Sequence, residues 1–209
     1  MPKRCMVPKS FAHICLAGIY LPVIFLSVIF LPVWGIKPKG KNMETSATAF
    51  EGNRQFVKPE WIDYNGHMNV AYYMMAFDLA LDDILDHVGF HRDYKKRKNI
   101  TTFVGDFHIH YRRELREGDP LRITQQLVGL DRKRIHICQN MYHADEHYLA
   151  AQSEIMQLHI DQAYRRVSPM DDESFAMFTS LYHAHRHLDK PEQLGRVIKQ
   201  LPPPEPLQT

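Results

Sequence analysis

WIDYNGHMNVAYYMMAFDLALDDILDHVG, residues 61–89, opens in a turn and closes as a helix. Asn65-Gly66 is a turn dipeptide, since glycine takes the positive φ that a tight reversal needs. From Asn69 on, Val70, Met74, Phe77, Leu81, Ile84 and Val88 recur every three or four residues, the period of an α-helix. Asn69 stands where an N-cap belongs and Gly89 where a helix stops. The spacing predicts a helix over 70–88, about five turns long. Ala71, Met75, Leu79 and Leu85 flank the main stripe, so the helix is apolar on more than one side. Such a helix expects to be enclosed.

Outward from that helix the pattern changes. HRDYKKRKN, residues 91–99, reads as a solvated basic loop. Beyond it the apolar period becomes two, in TTFVGDFHIHYRREL (101–115), PLRITQQLVGL (120–130), KRIHICQNMYHA (133–144) and HYLAAQSEIMQLHID (147–161). Turn residues separate these strands at Glu117–Pro120, Asp131-Arg132 and Ala144–Glu146, close enough for an antiparallel meander. RQFVKPEWI (54–62) reads as a strand ahead of the turn, residues 171–187 as a short helix and LPPPEPLQT (201–209) as a tail. One long helix and a run of antiparallel strands make an α+β domain, with the sheet curled over a central helix.

The 209 residues include 26 Lys and Arg against 24 Asp and Glu. Six of the basic residues and none of the acids lie in 1–42, leaving the rest with 20 basic against 24 acidic. No basic stripe with interleaved aromatics appears, which excludes a nucleic-acid binder. Residues 11–36, FAHICLAGIYLPVIFLSVIFLPVWGI, are long and apolar enough to span a bilayer. Pro22 and Pro32 interrupt them, and no small-residue cleavage site follows. Three readings compete: an anchor, a signal peptide, and upstream sequence ahead of a true start at Met43. The last is adopted, with a domain at 43–190 and a flexible Pro-rich tail at 191–209. Cys138 is the only thiol of that body, so no disulfide framework exists there and a small buried hydrophobe is its expected role.

The chemistry concentrates in Asp63-Tyr64-Asn65-Gly66-His67-Met68-Asn69. A carboxylate, a carboxamide and an imidazole converge there on a helix N-terminus. Asp63 can serve as nucleophile or as base for a water, and the helix N–H groups can hold a developing oxyanion. On spacing alone a turn with caps explains the cluster as simply.

The string Val57-x-Pro59-Glu60-Trp61-x-Asp63-Tyr64-Asn65-Gly66-His67-Met68-Asn69 resembles the opening of hot-dog-fold acyl thioesterases. Asp63, Gly66, Tyr73 and Asp78 fit the register of the 4-hydroxybenzoyl-CoA type. Asp63, Asn65 and His67, with Tyr111-Arg112-Arg113-Glu114, fit the plant acyl-carrier type. Leu115 stands where the plant enzymes carry a cysteine, which favours a carboxylate mechanism. The P-E-W-x-D-Y-N-G-H-M string and Asp131–His136 are most similar to the module associated with L-carnitine dehydrogenases and betainyl-CoA hydrolysis. The resemblance spans residues 54–165. It implies a hot-dog fold and a cytoplasmic enzyme that cleaves an acyl-CoA without metal or other cofactor. It also implies a homodimer or homotetramer with active sites at the subunit interface. Asp63, Asn65, His67 and Glu114 are the implied catalytic set. Trp61, Gly66, Met68, Tyr72, Tyr73 and Phe77 are the expected substrate contacts, with Tyr73 and Phe77 as walls of a cage for a quaternary ammonium. The turn Arg132-Lys133-Arg134 is the candidate grip on the coenzyme phosphates. The alternative is a non-catalytic module that binds an acyl thioester as a sensor.

Two histidine groups read more plainly. His108 and His110 share a strand face without a third ligand at metal spacing. His183, His185 and His187 form the basic end of a C-terminal helix. Asp78, between Phe77 and Leu79, is expected in a half-buried polar contact.

Overall fold

The computed structural model describes residues 48–203. The leader reading for 1–42, including the apolar run 11–36, lies outside them, as does the end of the tail. Among the described residues no helix is long and apolar enough to cross a membrane.

In chain order the elements are β1 (Phe50–Glu51), β2 (Gln55–Phe56), α1 (Val70–His87), α2 (Arg92–Lys98), β3 (Ile100–Tyr111), β4 (Pro120–Leu130), β5 (Arg134–His143), β6 (Leu149–Asp161), β7 (Arg166–Val167) and α3 (Asp172–His185). The expected strand at 54–62 shrinks to β2, because Pro59 starts a 3₁₀ turn over Pro59–Trp61. The sheet runs β1-β4-β5-β6-β3, wholly antiparallel. Strands β4, β5 and β6 form the expected meander, but β3 pairs with β6 at the far edge. An α+β fold with one long helix against a curled antiparallel sheet is therefore what the chain forms.

Helix α1 starts and stops as its sequence dictates. The Asn69 side chain accepts from the Ala71 N–H at 3.0 Å. At the other end Gly89, with φ of 90°, donates to Asp86 O, and Phe90 donates to Leu85 O. That pair is the Schellman closure, which needs a residue at positive φ.

The face that α1 buries is narrower than the sequence suggested. Tyr73, Ala76, Phe77, Ala80, Leu81, Ile84 and Leu85 pack inward. Val70, Met74, Met75 and Leu79 stay 47–60% exposed. Ala76 and Ala80 decide between the faces, since only a small side chain lets the helix axis come close to the strands. Close approach also permits polar ties. Gln139 on β5 donates to Phe77 O, Gln125 on β4 to Ala80 O and Gln55 on β2 to Ala76 O. Gln125 and Gln139 are fully buried, and each would be costly there without such a partner.

The stretch expected as a basic loop is α2. His91 caps it by accepting from Tyr94 N–H, and Asn99 ends it in the left-handed region at φ 56°. Tyr94, 2% exposed, packs with Phe90 and bonds Ser174, so a single buried aromatic anchors a helix otherwise made of charged residues.

His185 near the end of α3 is 1% exposed, unlike a dipole-complementing surface residue. Its Nδ1 accepts from the Leu127 N–H at 3.0 Å, at the irregularity between Leu127 and Gly129 in the β4–β5 pairing. Burial first, then the neighbouring His87, hold its pKa below the ordinary histidine value. Because the folded pKa is depressed, the unfolded chain binds more protons as pH falls below the unfolded value of about 6.5. This contribution to stability is complete above about pH 6.5 and is lost as pH drops toward the folded pKa. Thermal unfolding of the parent and of His185→Gln from pH 8 to 5 should show the two stabilities converging at low pH. A constant difference would remove this role.

Candidate active site

The turn ahead of α1 is stitched at both ends. Asp63 N–H donates to His67 O at 3.1 Å and Gly66 N–H to Asp63 O at 3.0 Å, with Gly66 at φ 80°. Asp63 Oδ1 accepts from Asn65 N–H at 2.8 Å. Asn69 N–H reaches Trp61 O and Met68 N–H reaches Leu115 O at 2.7 Å, so the turn is pinned to the chain next to Glu114. Asp63 is half-buried, and its Oδ2 carries no hydrogen bond among the described residues. The half-buried His67 sets Nε2 3.6 Å from Glu114 Oε2. Asn65 and Gly66 are exposed at the tip.

Glu114 is the junction of this cluster. Its Oε1 accepts from Arg116 at 2.9 Å, and its main-chain O accepts from the Tyr148 hydroxyl at 3.0 Å. The Arg116 hydrogen bond, with the His67 ring adding, keeps the Glu114 carboxyl below the usual carboxylate range. Arg113 lies over the Tyr148 ring at 3.8 Å. Tyr73 is 4% exposed and bonded to the Leu115 backbone; burial pushes its hydroxyl up to about 12, so it stays a neutral phenol. Tyr111 meets Tyr73 edge-on at 5.2 Å, and its hydroxyl donates to Val70 O.

The structure thus brings together Asp63, His67, Glu114 and Tyr73, while other expected contacts go elsewhere. Phe77 is wholly enclosed and turned edge-on to Phe107, so it packs the core and offers no wall to a cage. Trp61 is buried and stacks on the half-buried Tyr72 at 5.5 Å, and Met68 is buried in the same cluster. Asp78 is exposed on the open side of α1, with its carboxyl raised by desolvation and by Asp82. The Arg132–Arg134 turn does not reach this cluster within the chain. It lies at the far end of β5, a strand length of roughly 30 Å away. There Arg132 pairs with Asp172 at 2.7 Å and covers Phe175, and Arg134 pairs with Asp131. Tyr111 and Arg113 belong to the Y-R-R-E string but were given no role of their own by sequence, and Arg116 and Tyr148 were not singled out at all. Arg116 follows that string by two residues, but Tyr148, just ahead of β6, has no motif around it.

A half-buried carboxylate with an unbonded oxygen, at the positive end of a helix, can drive attack on a carbonyl. Among the described residues the main-chain N–H groups of His67 and Val70 donate to no partner and are candidate oxyanion donors. No group of three or more metal-ligating side chains occurs among the described residues. A long helix against a curled antiparallel sheet, with this turn at the helix start, is the fold of an acyl-CoA thioesterase of hot-dog type. The chain belongs to the thioesterase-like superfamily, whose profile matches residues 57–178. It is 37% identical to a betainyl-CoA thioesterase of Pseudomonas aeruginosa over 70% of this chain and 92% of that one. It is also 31% identical to an L-carnitine dehydrogenase/betainyl-CoA thioesterase of Rhizobium meliloti over 69% of this chain and 29% of that longer one. A Staphylococcus aureus protein solved in complex with CoA superposes with a TM-score of 0.67 at 27% identity, covering 73% of this chain and 96% of that one. The chain is accordingly an enzyme that hydrolyses acyl-CoA thioesters.

Proposed function

We propose that the acyl-CoA cleaved is betainyl-CoA, giving betaine and free CoA, and that the enzyme works as a cytoplasmic homodimer. Asp63 is the observation that carries the chemistry. Its Oδ2 either takes a proton from the attacking water or attacks the thioester carbon itself; both need the same unbonded oxygen. Asn65 supplies the N–H that orients the carboxylate, and His67, held toward Glu114, positions the water or substrate. The main-chain N–H of Val70 receives the carbonyl oxygen. When Asp63 acts as base, collapse of the tetrahedral adduct breaks the carbon–sulfur bond and the proton held by Asp63 passes to the leaving thiolate, releasing CoA and the acid. When Asp63 attacks, the same collapse leaves a mixed anhydride on Asp63 that a water hydrolyses to the acid and the free carboxylate.

A quaternary ammonium cannot donate a hydrogen bond, so aromatic faces and a carboxylate must hold it. Tyr111, 45% exposed, and the ionised Glu114 beside Tyr73 supply both at this site. The open apolar face of α1 and the edge of β3, unpaired among the described residues, support a dimer, since exposed edges and contiguous apolar surface are ordinarily covered. Free thiol release from betainyl-, acetyl-, butyryl- and 4-hydroxybenzoyl-CoA, followed with a thiol reagent, tests the reading. The betainyl ester should be the fastest by kcat/KM. Binding of every ester with no thiol release would instead identify a sensor.

A further inference from the structure

The last described residues strap the outer face of the sheet, the face turned away from α1. Asp189 O accepts from Gln126 on β4. Gln193, 4% exposed, bonds Gln139 O on β5 and the Gln152 side chain on β6. Gly195 N–H donates to Glu154 on β6 at 2.8 Å, and Arg196 meets His110 on β3 at 2.9 Å. The strap therefore crosses β4, β5, β6 and β3 in their spatial order, and its first part, expected as a flexible tail, is held by side chains. After Arg196 it has reached the edge strand. Yet Val197, Ile198 and Leu201 follow, 75%, 88% and 89% exposed. On the same outer face Phe103, paired with Leu158, is 41% exposed.

We infer that residues 197–203 form an arm that crosses to a second copy of this chain and lays Val197, Ile198 and Leu201 on its outer sheet face around Phe103. The inference rests on the dimeric reading above. Two β3 edges meeting antiparallel about a two-fold axis set the His110 end of one strand beside the Ile100 end of the other. A strap leaving at His110 then runs onto the partner near Phe103. Seven residues extend about 23 Å, several strand spacings of about 4.8 Å.

The full chain carrying Ile198→Cys and Phe103→Cys tests this by mild oxidation and non-reducing electrophoresis. Cys138 is buried, with its thiol pushed up to about 12, and contributes no background. The parent and each single variant control for Cys5 and Cys15. A disulfide-linked pair of chains in the double variant alone is the expected result. A dimer by sedimentation that gives no inter-chain link, or a link within one chain, overturns the arm and leaves the dimer standing. A monomer at every concentration overturns both. Separately, the triple change Val197→Asp, Ile198→Asp and Leu201→Asp should raise the dimer dissociation constant at least tenfold with kcat unchanged. An unaltered constant overturns the arm.

Discussion

Asp63→Asn lowers kcat by about 10²–10⁴ while the fold and substrate affinity persist. The asparagine is nearly isosteric and keeps an oxygen where Oδ1 accepts the Asn65 N–H, so the turn survives. What disappears is the negative charge on Oδ2, which accepts a proton or forms a bond in the transition state. Uniform binding is untouched, so the loss belongs in kcat and leaves KM largely unchanged. Thermal unfolding together with calorimetric titration of a substrate ester should match the parent. Asp63→Ala adds loss of the turn hydrogen bond and should lower stability as well, by about 1 kcal/mol. Activity of Asp63→Asn within a few-fold of the parent would remove Asp63 from the chemistry.

The second large effect separates a cationic from a neutral acyl group. Betainyl-CoA and 3,3-dimethylbutanoyl-CoA share size and branching and differ only in whether the central atom is N⁺ or carbon. Each cation–π contact contributes about 0.5–2 kcal/mol, so the Tyr111 face with the Glu114 carboxylate should favour the betainyl ester by about 10–100-fold in kcat/KM. Tyr111→Leu should shrink that ratio mainly by slowing the cationic ester. Glu114→Gln should shrink it too, and in Glu114→Gln the His67 ring also loses its partner, so both esters slow. Equal kcat/KM for the two esters in the parent enzyme would leave a thioesterase for neutral short acyl chains.

Local chemistry was legible in the sequence because it is local. Asn69, Gly66 and Gly89 each act on backbone within a few residues, so the turn, the cap and the helix stop follow from residue type and spacing. The period-two runs likewise placed β3 to β6, and the compact 63–69 cluster identified the candidate carboxylate. Tertiary structure alone decided which side of α1 is buried, since the helix is apolar on more than one side and Ala76 and Ala80 matter only against a sheet. It alone set β3 at the far edge next to β6, a pairing between strands distant in sequence that no turn signal encodes. The α2 helix depends on the pocket that receives Tyr94, and the buried His185 on a strand irregularity some sixty residues earlier. The same holds at the site. Phe77 and Tyr73 look alike on a helical wheel, yet Phe107 closes over one while Leu115 and Tyr111 hold the other beside Glu114. The Arg132–Arg134 turn has the right charge for phosphates, but β5 carries it a strand length from Asp63. Spacing along the chain determines the turn and its chemistry; packing between distant segments determines which side chains stand around it.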